Sequence, residues 1–304
     1  MLPFQKVLYL RREIFTVLTK ENLKKILNLI LKLLVTSLAI FIVLRKIDLT
    51  ELWYHVRSIR LIYVSIALLV LALSKVLEAF RLNIFFRVKD VILSEKQNIK
   101  LYFLGMFYNL FLPGGIGGDG YKVYWLRKKQ GAKLKSTIWA SLLNRANGLF
   151  GLLILVAIST WFISFDYPFR NYTVLLIPFL YVIYYFGLRL FFRDYTPTLP
   201  KTTLLSIMIQ FMQVVSAHFI LVSLGLNAGY PDYWFLFLVS GILFAIPVTL
   251  GGFGSRELVF VFVAQYLTID VNLSVALGLL TYVLRVILSF IGVYYLAFPK
   301  KLMD

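Results

Sequence analysis

The sequence predicts an all-α polytopic membrane protein, with six long spans and two helical hairpins broken at proline and glycine, laid out as an inverted repeat. Three observations carry that prediction. The 304 residues are 60% hydrophobic, 17% aromatic and only 15% charged, against ~45–50% apolar residues in an ordinary soluble domain. Apolar runs recur from residue 26 to residue 298 with short polar gaps between them, which reads as one membrane domain rather than two globular ones. The two runs too short to cross a bilayer each end at a proline followed by glycines.

At ~20 apolar residues per crossing, spans fall near 26–44, 61–80, 137–164, 172–192, 203–224 and 273–298. The short runs are 99–113 and 233–247. Basic residues orient them, because cytoplasmic loops of membrane proteins carry the lysine and arginine. Arg87, Lys89, Lys96 and Lys100 precede the first short run, and Lys122, Arg127, Lys128, Lys129, Lys133 and Lys135 follow it. With both flanks inside, 101–126 enters the bilayer and returns on the same side, as a re-entrant hairpin. The loop at 165–171 is nearly uncharged and outside, Arg189, Arg193 and Lys201 are inside, 225–232 is outside, and Lys300 and Lys301 are inside. Segment 233–269 is then either a second re-entrant hairpin or two full crossings. The reading places the chain in the cytoplasmic (inner) membrane with both termini cytoplasmic.

Residues 1–25 are basic and too interrupted for a signal peptide. They read as an amphipathic helix on the cytoplasmic surface, or simply as a solvated basic tail. Residues 26–298 form the single transmembrane domain and 299–304 a cytoplasmic tail. The net charge of +18 does not indicate nucleic acid, because the basic residues sit in short loops between apolar spans; it favours anionic headgroups. With no cysteine in the chain, disulfides and thiolate chemistry are excluded.

The segments LPGGIGGDGYKVYW at 112–125 and IPVTLGGFGSRELVF at 246–260 share an order: proline, paired glycines, an acidic residue, an apolar stretch. Each is preceded by two crossings and followed by one. The chain therefore divides into halves at about 26–167 and 168–298, and an odd number of crossings in the first half inverts the second. Inverted repeats with discontinuous helices belong to transporters, whose substrate site lies at the repeat interface. A glycine-rich break at membrane depth is tolerated only where it is buried in protein or lines a wet cavity.

Asp119 reads as the N-cap of a helix from Gly120, and Ser255 as the equivalent cap before Arg256 and Glu257. Helix N-termini suit a phosphate or carboxylate, although Asp119 and Glu257 could fill those ends themselves. Arg145 and Arg285 lie in corresponding spans, where a charge costs at least ~2.5–3.5 kcal/mol and needs a partner. The natural partners are Asp119 for Arg145 and Glu257 for Arg285, or a lipid phosphate. These residues are either buried ion pairs holding the hairpins or, with Arg256, an anion site opening alternately to the two faces. Lys75, Glu78 and Arg81, spaced i, i+3, i+6 at the cytoplasmic end of the second span, form either a snorkelling belt or an access route for headgroups. Asn109, Gln210 and Gln213 bind a headgroup or bridge helices. Neither histidine, His55 or His218, has the company a metal site needs, and no cofactor or catalytic constellation is visible.

The stretches NLFLPGGIGGDGYKVYWLRK at 109–128, NRANGL around Arg145 and GGFGSRE at 251–257 resemble the flippase-like family named for the transmembrane region of lysylphosphatidylglycerol synthases. The resemblance extends from about residue 25 to 298. It implies a multi-span domain that moves lipids between leaflets, with Pro113, Gly114, Gly115, Gly117, Gly118, Asp119, Arg145, Gly251, Gly252 and Glu257 as its core. Gly120 and Lys122 stand where a small residue and an arginine are expected. The aminoacyl-transferase domain of the two-function synthases is absent up to Asp304, so lipid aminoacylation is not expected. The sequence thus points to a translocator for an anionic or polyprenyl-linked lipid. Its alternative is a non-transporting scaffold for a glycosyltransferase or envelope-assembly enzyme.

Overall fold

The computed structural model describes residues 34, 37, 38, 41–57, 59–111, 117–166, 168–245 and 255–302. The basic segment 1–25, most of the first span, Pro113, Gly114, Gly115, Gly251, Gly252 and the end of the tail lie outside the described residues. So do all of residues 112–116 and 246–254.

Every regular element among the described residues is helical. A helical stretch at 41–46 leads to α1 (Leu49–Arg57), where the Asp48 carboxylate accepts the backbone N–H groups of Thr50 at 2.7 Å and Glu51 at 3.3 Å. Those donors favour the ionised cap and hold its carboxyl below the usual carboxylate range. Then come α2 (Leu61–Arg87), α3 (Glu95–Phe111), α4 (Gly117–Gln130) and α5 (Leu134–Ser159). A 3-10 turn at Arg170–Leu175 opens α6 (Leu176–Phe191), and a second at Arg193–Thr198 opens α7 (Leu199–Ser223). The last four are α8 (Tyr230–Ala245), α9 (Ser255–Tyr266), α10 (Val271–Ser289) and α11 (Ile291–Ala297).

Five stretches among the described residues are long and apolar enough to cross a bilayer: Leu61–Arg87, Leu134–Ser159, Tyr172–Phe191, Arg193–Ser223 and Val271–Ala297. They match the second to sixth spans expected from hydropathy, with shifted ends. The shift that bears on the polar residues is in α2, whose 27 residues extend about 40 Å. Hydropathy ends that span near residue 80 because Lys75, Glu78 and Arg81 dilute its apolar signal, yet the helix runs on to Arg87. These three residues therefore lie in the middle and second half of a long helix, not at its end. The final span is also interrupted, with Phe290 between α10 and α11. The helices flanking the breaks are short: α3 has 17 residues and α4 has 14, about 26 and 21 Å against a hydrocarbon layer of about 30 Å.

Lipid tails are as apolar as leucine, so helices in a bilayer associate through close packing and polar contacts rather than through the hydrophobic effect. The crossings here follow that rule. The most extensive contact is between α2 and α7, where Ser216 Oγ donates to the Ala67 carbonyl at 2.8 Å. In the α5–α7 crossing, a Cβ added at Gly151 would lie 2.6 Å from Ser206 Cβ and 2.9 Å from its backbone. Large apolar side chains such as Phe179, Ile183, Phe186 and Leu190 of α6 point outward, as a lipid-facing perimeter requires.

The first hairpin is fastened by two glycines. A Cβ on Gly118 would sit 1.9 Å from the Gly105 carbonyl oxygen, and one on Gly105 would sit 2.5 Å from Lys122 Cε. Backbone packs directly on backbone, and the lysine stem passes over the bare Cα. Gly118→Ala is therefore expected to destabilise the protein by about 3 kcal/mol. Gly120→Ala, a helical position with nothing within 4 Å, should instead stabilise it by roughly 0.5–1 kcal/mol. Thermal unfolding of both variants in detergent checks this pair of opposite signs.

Candidate functional site

The polar residues of α2, α3, α4, α5, α7, α9 and α10 meet in one network inside the bundle. Its hub is Glu78. One carboxylate oxygen accepts Lys75 Nζ at 2.8 Å and Gln213 Nε2 at 2.9 Å, and the other accepts the Tyr102 hydroxyl. The spacing i, i+3 puts Lys75 and Glu78 on the same face of α2, and that face points at α3 and α7. Lys75 and Arg81 are only 8% and 5% exposed. Neither snorkels to an interface as a belt would need.

Arg81, one turn after Glu78, donates Nε to Asn144 Oδ1 at 2.9 Å and Nη1 to Ser206 Oγ at 2.7 Å. Ser206 Oγ in turn donates to Asn147 Oδ1 at 2.5 Å. Gly148 completes this pocket, because a Cβ there would come within 3.0 Å of the guanidinium. Gln210 Nε2 donates to the Gly148 carbonyl at 3.3 Å, so it bridges α5 and α7.

At the first break, Arg145 Nε meets Asp119 Oδ2 at 2.5 Å and Lys122 Nζ meets Asp119 Oδ1 at 3.1 Å. The Arg145–Asp119 pairing expected from sequence is present. The capping role expected of Asp119 is not: α4 begins at Gly117, which puts Asp119 inside the first turn. Its two oxygens are taken by cations, and the cap is supplied across the break by Asn109, whose Oδ1 accepts the Gly118 N–H at 2.7 Å. Lys122 also stands over the Tyr102 ring at 4.5 Å, which joins the Asp119 cluster to Glu78.

At the second break, α9 begins at Ser255 itself, so Ser255 stands in the first turn rather than before it. Arg256 and Glu257 are each 4% exposed. Arg256 Nε donates to Ser240 Oγ at 3.0 Å, and its guanidinium lies 4.8 Å from the Phe237 ring centre and 5.4 Å from that of Phe260. Its Nη2 has no hydrogen-bond partner among the described residues. Arg285 donates Nη2 to Gln213 Oε1 at 3.4 Å and lies within electrostatic range of Arg256, Glu257 and Glu78. Gln213 thereby links the two halves, with its amide nitrogen on Glu78 and its oxygen on Arg285.

The network brings together Lys75, Glu78, Arg81, Asn109, Gly118, Asp119, Arg145, Arg256, Glu257 and Arg285, with Gly117 at the start of α4 beside it. Reading the sequence missed Tyr102, Lys122, Asn144, Asn147, Ser206 and Ser240. Lys122 could have been found from its i, i+3 spacing to Asp119. Asn144 adjoins Arg145. Tyr102 and Ser206 carry no signal, since a tyrosine or serine in an apolar run is ordinary. His218 sits in an aromatic cage with Tyr230 and Trp234, 4.6 and 5.6 Å between ring centres. The judgement on His55 needs correction: α10 brings Asp270 to 3.4 Å from its Nε2, a juxtaposition across more than 200 residues of chain that no local pattern encodes.

Neutralising the hub should expose what it holds. Glu78→Gln leaves the Lys75 ammonium buried without its counter-charge and is expected to cost about 3–5 kcal/mol. The double replacement Lys75→Met with Glu78→Gln removes both charges while keeping an acceptor for Gln213 and Tyr102, and should recover part of that loss. Melting temperatures of the two variants in detergent make the comparison.

No curated protein and no solved structure matches the chain. The family described as Lysylphosphatidylglycerol synthase TM region matches residues 29–197, more than half of the chain and all of the first hairpin with its Asp119–Arg145 pair. The chain belongs to the lysylphosphatidylglycerol synthase transmembrane-region family.

Proposed function

We propose that this protein translocates an anionic lipid, a phospholipid or a polyprenyl-linked lipid, by alternating access around the two broken hairpins. One observation carries the reading. Within the network six cationic side chains (Lys75, Arg81, Lys122, Arg145, Arg256 and Arg285) face three carboxylates (Glu78, Asp119 and Glu257). Each unbalanced charge at membrane depth costs at least about 2.5–3.5 kcal/mol, so a surplus of three is a strong field for an anion. Arg256 is the sharpest part of that field, because it is buried, within electrostatic range of Arg285, and its Nη2 has no hydrogen-bond partner among the described residues.

A lipid phosphate supplies the missing negative charge while its chains stay in hydrocarbon. Phosphate accepts several guanidinium N–H bonds at once, and the N-terminal end of α9, which carries Arg256 in its first turn, adds a positive dipole. Binding that neutralises the surplus lowers the cost of separating the charged helices, which is the coupling alternating access needs. The short lengths of α3 and α4 support a re-entrant first hairpin. The lysines and arginines of the inner loops support an inner membrane location with cytoplasmic termini. No covalent step is part of this reading, and lipid is its partner. The directly bonded Asp119–Arg145–Lys122 cluster favours one other reading, a rigid scaffold for a glycosyltransferase or envelope-assembly enzyme.

The discriminating experiment follows a fluorescent anionic phospholipid across vesicles reconstituted with the protein. Wild type should move the lipid, whereas Arg145→Ala, Arg256→Gln and Arg285→Ala, each still monodisperse in detergent, should lose at least about nine-tenths of the rate, the equivalent of ~1.4 kcal/mol or more. Wild-type rates in all three variants would exclude the phosphate site, and an inert wild type would favour the scaffold.

A further inference from the structure

We propose that Glu51, His55 and Asp270 form a binding site for one divalent transition-metal ion of the zinc class, remote from the bundle network and independent of what the bundle carries. The ligand atoms of these three residues all lie within 4.8 Å of one another. They come from distant parts of the chain. Glu51 and His55 are four residues apart on α1, so they share a helix face, and Asp270 is the N-cap of α10.

The geometry fits a small ion. Zinc takes imidazole nitrogen and carboxylate oxygen at ~2.0–2.2 Å, which places neighbouring ligands of a tetrahedral shell about 3.4 Å apart. His55 Nε2 and Asp270 Oδ2 are 3.4 Å apart. Glu51 closes the triangle by a side-chain movement on the order of 1 Å, leaving a fourth position for water. One imidazole with two carboxylates is a donor set for zinc, manganese or iron rather than for magnesium, which prefers oxygen alone.

Outer contacts aim the ligands, as they do in metal sites generally. Asp270 Oδ1 is occupied by the backbone N–H groups of Asn272 at 2.8 Å and Leu273 at 3.1 Å, so Oδ2 is the oxygen turned to His55. Asn272 Nδ2 donates to Glu51 Oε2 at 2.5 Å, and its Oδ1 accepts the Asp48 N–H at 2.8 Å. Asn272 thus fixes both the carboxylate and the turn that begins α1. A helix cap alone requires only Asp270; it does not require a glutamate and a histidine to converge on its spare oxygen. The ion would clamp α1 to the start of α10, the helix that carries Arg285.

The test uses the full chain, purified in detergent and stripped with EDTA, with zinc chloride as the probe. Titration calorimetry should give one ion per chain, and zinc should raise the melting temperature. His55→Ala and Glu51→Gln should each weaken binding at least about tenfold and abolish the thermal shift, and Asn272→Ala should weaken it by about 10–100-fold. His218→Ala, which removes the only other histidine, should bind as wild type does. Glu51→Gln keeps an acceptor for Asn272, so it tests the charge even if His55→Ala folds poorly. Absence of saturable zinc binding in wild type, or unchanged affinity in both His55→Ala and Glu51→Gln, would overturn the site and leave a histidine–aspartate pair at a helix cap.

Discussion

Charge inside a low-dielectric bundle is the constraint on which the rest of this structure turns. Glu78 meets that constraint by accepting from Lys75, Gln213 and Tyr102 together, so three helices are tied to a single carboxylate. Removing any one partner leaves a buried group whose solvation by water has already been lost. That is why the second span can carry three ionisable residues in its interior half and remain a membrane helix. The cost of each is met by a neighbour on α3, α5 or α7, not by the headgroup layer.

The same constraint explains where the small residues fall. Long cationic side chains need room to reach their partners, and the room comes from glycine. Gly105 lets Lys122 pass to Asp119 and Tyr102, and Gly148 admits the Arg81 guanidinium. Close helix contact and buried charge are therefore one design here. A bundle packed only with leucine would hold its helices too far apart for a lysine or an arginine to span them with a hydrogen bond.

The imbalance of the network gives the family assignment its physical content. A membrane domain whose only task was to stay folded would be most stable with matched pairs or none, because every surplus charge is a standing penalty. Asp119 faces Arg145 and Lys122, and Glu257 lies within electrostatic range of Arg256 and Arg285, so each break sets one carboxylate against two cations. The breaks differ in how those charges are held: at the first both cations bond the carboxylate directly, whereas at the second Arg256 donates to Ser240.

Much was legible from the sequence alone. Apolar length is a local property, so the five spans within the described residues are readable from composition in a sliding window, and charge at membrane depth is rare enough that Arg145, Arg256 and Arg285 stand out without coordinates. Asp119 and Arg145 could be paired because the glycine break and the following span leave few alternatives. Partner choice beyond that was decided only in three dimensions. The role of Gln213 as the link between Glu78 and Arg285, the capture of the Gly118 N–H by Asn109 in place of Asp119, and the meeting of His55 with Asp270 depend on which helix faces which. The true end of α2 depends on it as well, since hydropathy averages around a helix and cannot tell a polar stripe turned inward from a span that stops. Sequence determines how much apolar surface each helix has to offer; only packing determines which side of it is hidden, and a buried charge is tolerable or not by that difference.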